Sequence, residues 1–288
     1  MAKRKDTAKD VEKVDNEGDD SSSDNEEIVN VDFDFFDFKP DIDFQAIKNL
    51  LRQTFDSDST MFDLSALADL ILSQSSLGST IKCDGPESDP FAYLTVVNAN
   101  VHRDHPALRQ IIDYIISKSK KNEGTNLKLK ELLADDAKTN TAILFSERLI
   151  NMPTEVVPPM YNMLLDEMKK AVDNGEKYDF DYYIIVSKSF TEIESKIDEE
   201  DDRPKKKKKK AAQTSKEIFY FHAEDELFTK NAEQSMVYQF SNEAQEADSK
   251  RAFQDYGIAP QGQLMVIAKD KFASTVSEML QMFAIPGQ

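Results

Sequence analysis

The stretch YDFDYYIIVSKSF, residues 178–190, is the longest strand signal in the chain. Its centre, Tyr182-Tyr183-Ile184-Ile185-Val186, is wholly aromatic and β-branched. A charged loop, 191–216, then interrupts what reads as a hairpin, and Glu217–Phe221 is its aromatic return strand. Two more strands are predicted at Met236–Phe240 and Gln263–Ala268. The last helix is expected over Lys271–Phe283, with Phe272, Val276, Met279 and Leu280 facing inward.

Upstream of this core, Val31-Asp32-Phe33-Asp34-Phe35 alternates apolar and acidic residues with period two, the pattern of a half-buried strand that Pro40 ends. Asp43 reads as the cap of a helix carrying Phe44, Ile47, Leu50, Leu51 and Phe55, and Asp63 as the cap of another. Strands are predicted at Ser79–Lys82, Phe91–Val97 and Thr141–Phe145, and helices after Pro106, over Leu127–Ala134, and from Pro158 to a stop at Gly175. Helices alternate with strands, so the fold class is α/β (α+β), a mixed sheet covered by helices. Residues 28–288 form one domain with a charged, disordered excursion at 194–216.

The 288 residues carry a net charge of −18 with 40% hydrophobic content, and the single cysteine, Cys83, can form no intrachain disulfide. The N-terminus opens Met-Ala-Lys-Arg-Lys-Asp without an apolar stretch, and no run reaches the roughly 18 apolar residues of a membrane span. A soluble, intracellular protein is expected. Residues 1–27 hold ten acidic and five basic residues and too little apolar surface to offset chain entropy, which predicts a disordered acidic tail. Within it Ser21 and Ser23 precede Asp24 and Glu26 by three positions, the pattern that acidophilic kinases read.

Arg203 and Pro204 are followed by six lysines: Lys205, Lys206, Lys207, Lys208, Lys209 and Lys210. Six adjacent ammonium groups cannot all find buried counter-charges, so the run must be solvated. A basic run of this length suits a nuclear import signal read by an import receptor. The remainder of the chain carries −24, six more negative charges than the whole chain's −18. So acidic a body repels nucleic acid and attracts basic protein. Asp32, Asp34 and Asp37, and further along Glu224, Asp225 and Glu226, are the candidate contacts for a basic partner.

Little points to catalysis. The eight glycines form no G-x-G or G-x-x-x-x-G-K arrangement, so the usual phosphate-cradling loops are excluded. No G-x-S-x-G elbow occurs. His102 and His105 flank Asp104 but lack a third strong metal ligand nearby, and Pro106 places them at a helix start rather than on one helical face. Cys83 reads as structural. No catalytic, cofactor or metal residue is assigned. Leu64–Leu72 has the apolar spacing of a nuclear export signal, which is also the spacing of any core-facing helix.

Three blocks resemble the BCCIP family: VDFDFFDFKPDIDFQAIKNLLRQTF (31–55), FSERLINMPTEVVPPMYNMLLDEM (145–168) and FYFHAEDELFTKNAEQSMVYQF (219–240). The resemblance spans about residues 28–285. It implies a GNAT-like fold related to the N-acetyltransferases. Those enzymes hold the coenzyme A pyrophosphate on a glycine-containing loop. The corresponding segment here, Val97–Pro106, has no glycine and places Asp104 where the anion would bind, which implies a scaffold without the catalytic loop. The resemblance further implies a nuclear chaperone or adaptor for a basic large-subunit ribosomal protein, acting in ribosome biogenesis and nuclear export. A divergent acyltransferase and an export adaptor for other cargo are the alternatives. It carries over no numbered binding residue.

Overall fold

The computed structural model describes residues 32–74, 76–193, 217–241 and 257–283. The expected tail (1–27, with Ser21 and Ser23) and the 194–216 insertion with its lysine run lie outside these residues.

Eight strands form one mixed, mostly antiparallel sheet: β1 (Asp34–Asp37), β2 (Ser79–Lys82), β3 (Ala92–Asn98), β4 (Thr141–Arg148), β5 (Tyr182–Glu192), β6 (Phe219–Tyr220), β7 (Gln234–Tyr238) and β8 (Ile258–Ala268). The spatial order is β1-β2-β3-β4-β5-β8-β7, with β6 also on β5. Every pairing is antiparallel except β4 with β5, where Thr141 faces Tyr182 and Leu144 faces Ile185. A parallel pair needs a long crossover. The helix α5 (Val157–Asp173) supplies it.

The other helices are α1 (Pro40–Phe55), α2 (Leu64–Leu72), α3 (Pro106–Lys118), α4 (Glu123–Leu132), α6 (Glu224–Asn231) and α7 (Lys269–Met282). Side chains alternate across a strand, so each central strand feeds two cores. Val97, Ile143, Phe145, Ile184, Val186, Leu264 and Val266 meet α1 to α4 on one face. Val96, Ala142, Leu144, Tyr183, Ile185, Met265 and Ile267 meet α5 to α7 on the other. The central strands are apolar at nearly every position because both faces are covered.

Some predicted boundaries move, for identifiable reasons. The first strand is Asp34–Asp37 rather than 31–35, because β2 fixes its register with Asp34 opposite Lys82 and Asp37 opposite Ser79. Helix α1 starts at Pro40, and Asp43 is inside it, where its carboxylate accepts the Lys39 N–H at 2.8 Å. That back-bond satisfies the N-cap amide from within the first turn. The return strand shrinks to Phe219–Tyr220, opposite Ser189 and Phe190. The long antiparallel partner of β5 is instead β8, paired along all eleven residues from Tyr182↔Ala268 to Glu192↔Ile258. Asp63 caps α2 as expected, accepting from the Ala66 N–H at 3.0 Å. Gly175 ends α5 in the left-handed region at φ 84°, donating to Val172 O at 2.9 Å.

Candidate functional site

Among the described residues strand β1 ends the sheet on one side, and an edge strand presents both backbone and side chains to a partner. Asp32, just before it, and Asp34 and Asp37 at its two ends are all exposed; the period-two alternation accounts for Asp32 and Asp34, whereas Asp37 falls out of phase with them. Their fields reach neighbouring groups. Burial pushes the Cys83 thiol up, and Asp84 and Asp34 push it further, which keeps that thiol protonated and inert. At the other end of β1, burial raises the Glu167 carboxyl, against a bond from the Gly78 N–H, and Asp37 adds to the rise. The edge thus carries exposed carboxylates at both of its ends.

The second predicted acidic group divides. Glu226 is exposed, but Glu224 and Asp225 are 1% and 3% exposed. They turn inward because α6 begins at Glu224 and packs Leu227 and Phe228 on the sheet, which carries its first turn under the surface. Glu224 binds both guanidinium nitrogens of Arg148. Asp225 accepts from the Ser187 hydroxyl. These two carboxylates are therefore structural and withdrawn from any partner.

They belong to a buried polar centre between β4, β5 and α6. Glu147, 1% exposed, lies 3.0 Å from Lys188 Nζ, accepts from His222 Nε2 at 2.9 Å and sits 3.1 Å from Thr54 Oγ1. Burial alone would raise its carboxyl, but Lys188 and His222 outweigh burial and hold it at about 2. Burial likewise opposes charge on His222, yet Glu147 raises it above its ordinary value. Asp225 stands 3.9 Å from His222 Nδ1, and burial pushes it up to about 7.

A third polar centre lies under α3. Asp58, fully buried, accepts from the Ser241 N–H at 2.7 Å and from the Tyr114 hydroxyl at 3.0 Å. The three donors of the Lys118 ammonium go to Asp58 Oδ2 at 2.6 Å, Gln239 O at 2.8 Å and Ser241 Oγ at 2.8 Å. Above it opens a pocket of about 340 Å³, walled by Met61, Phe62, Asp113, Tyr114, Ser117 and Lys118 among others.

The segment between β3 and α3, the sequence's candidate for a pyrophosphate loop, uses its amides internally. Asn98 Oδ1 accepts the Asn100 and Val101 N–H groups at 2.9 and 3.1 Å, Asn98 O accepts His102 N–H at 3.1 Å, and His102 O accepts His105 N–H at 2.9 Å. These donors cannot also cradle a phosphate. Burial, and then His105, lowers His102. Among the described residues no group of three or more His, Cys, Asp or Glu side chains could hold a metal. Leu64, Leu67, Leu70, Ile71 and Leu72 of α2 are all buried, so this helix serves the core and offers no export signal while folded.

A family model described as BCCIP matches residues 28–228. The chain belongs to the BCCIP family. A BCP1 protein of Debaryomyces hansenii is 44% identical over 269 residues, covering 90% of this chain and 88% of the relative. The bcp1 protein of Schizosaccharomyces pombe is 46% identical over 259 residues, covering 90% and 92%. The crystal structure of BCP1 from Saccharomyces cerevisiae is 32% identical, with a TM-score of 0.61 over 91% of this chain and 93% of that one. The BCCIP name is not that of an enzyme family. In this BCCIP-family chain, sequence reasoning missed Glu147, Arg148, Lys188 and His222 as one centre. The signal available was weak: two charged residues ending the apolar run TAILF, and one lysine in a strand otherwise free of charge to Ser189.

Proposed function

We propose that the chain is a non-enzymatic nuclear chaperone of a basic large-subunit ribosomal protein, masking a basic RNA-binding surface until assembly and accompanying it between nucleus and cytoplasm. The observation that carries this reading is electrostatic: the chain outside the lysine run has a net charge of −24, and exposed carboxylates line the β1 edge. Such a field draws a cationic protein in and keeps nucleic acid away. Arg203 and Lys205–Lys210 serve in this reading as the import signal, and Ser21 and Ser23 as phosphorylation sites that would deepen the negative charge.

The sheet is further read as an N-acetyltransferase-like scaffold. The strand–loop–helix from β3 to α3 supports that likeness, and the occupied amides of its loop favour a scaffold over an acyltransferase. Isothermal calorimetry tests the choice: purified large-subunit ribosomal proteins should bind and coenzyme A should give no heat. Heat from coenzyme A together with silence from every ribosomal protein would replace the chaperone with an enzyme.

A further inference from the structure

The pocket under α3 has features that the acidic edge lacks. Its volume of about 340 Å³ is at the small end of the roughly 300–1,000 Å³ of ligand sites, room for one long side chain rather than a large cofactor. Met61 is 49% exposed at its mouth. Phe62 and Tyr114 meet edge to face, centroids 5.0 Å apart at 84°, and give it aromatic walls.

Its charges are unequally committed. Lys118 would repel a cation, but its donors are all spent on Asp58, Gln239 and Ser241, and Asp58 neutralises it. Asp113 has a side chain 69% exposed, and its nearest cation, Arg109 Nε, is 3.8 Å away and itself 51% exposed. That pair is loose and solvent-screened, so Asp113 is open to exchange for a better partner. Aromatic walls, a flexible methionine at the mouth and one available carboxylate match a planar guanidinium on an apolar stem.

We propose that this pocket anchors an arginine side chain of the basic client, stacked on the half-buried Phe62 ring and paired with Asp113. The inference rests on the chaperone reading for its partner but names a different surface from the β1 edge. The edge steers the client by its field, and the pocket fixes one residue.

The test uses the full chain with methionine methyl groups labelled for NMR, Met61 being assigned through Met61→Leu. Hexa-arginine and hexalysine, equal in charge, are the probes. Hexa-arginine should move the Met61 methyl signal more than hexalysine does. Asp113→Lys should weaken hexa-arginine about tenfold more than Asp34→Lys, which makes the same charge change on the β1 edge. An unmoved Met61 signal, or equal responses to the two peptides, overturns the proposal. So does a signal that depends on protein concentration before peptide is added, which would seat a second copy there. A signal altered by Phe253→Ala in the free chain would give the pocket to the chain's own 242–256 segment and overturn it too. If the Met61 signal stays still while a ribosomal protein binds, only the pocket falls. If no basic protein binds at all, the chaperone reading falls with it.

Discussion

Lys82 and Asp43 are both fully buried, joined at 2.6 Å, with Pro86 O accepting a second ammonium donor at 2.9 Å. An interior this apolar tolerates a charge only when each partner is satisfied. Removing one member leaves the other stranded, so Lys82→Met should cost about 3–5 kcal/mol in urea unfolding, and adding Asp43→Asn should recover part of the loss. An additive double variant would show that the pair is not coupled. The Glu147 centre makes a second claim at this scale. Glu147, ordinarily near 4.5, is held at about 2, so its contribution is present above 4.5 and is lost as pH falls toward 2. Asp225 moves oppositely, from 3.8 to about 7, and His222 is raised above 6.5, so their contributions are present at lower pH and are lost as pH rises through the raised values. The thermal midpoint should therefore fall as pH rises from about 5 to about 7, the stretch over which Asp225 is the group lost, and Asp225→Asn should flatten that slope. A midpoint that climbs over this range would contradict the assignment.

Strands β7 and β8 illustrate what an element demands. Gly262 stands opposite Tyr238, and a Cβ at Gly262 would lie 2.1 Å from the Tyr238 ring, which is itself wedged against Tyr114. Gly262→Ala should cost about 1–3 kcal/mol, because that ring has no free space to enter. At Gly175 a Cβ meets nothing within 4 Å, so Gly175→Ala should cost only the left-handed backbone penalty of about 1–2 kcal/mol. A Gly262→Ala variant as stable as the parent chain would deny the close approach there. The same elements mark how far the sequence could be read. Strands such as Ser79–Lys82 and the helix after Pro106 were legible because punctuation and periodicity are local. The choice of β8 over β6 as the long partner of β5 was not, since β6 takes only the stretch of β5 past its pairing with β4. Helix α6 was also hidden: its acidic first turn read as surface, and only Leu227 and Phe228 advertise a buried face. The exposure of Asp32 and Asp34 was readable from the period-two alternation; that of Asp37 was not, because Phe36 breaks the pattern before it. The Glu147 centre was not, because its members come from three separated segments that only the tertiary fold unites.

At the scale of the whole molecule, a net −18 is the dominant fact, and the lysine run is its one concentrated exception. Replacing Lys205–Lys210 by alanine should leave the melting temperature unchanged and shift a fluorescent fusion from nucleus to cytoplasm, whereas undiminished nuclear accumulation would remove the import role. The field itself is tested most directly by following association with a purified basic large-subunit ribosomal protein as salt is raised. Exposed charges are screened over about 10 Å at 0.1 M and about 3 Å at 1 M. The association rate should therefore drop by about tenfold or more across that range. A rate indifferent to salt would mean that apolar contact, and not charge, brings the partners together.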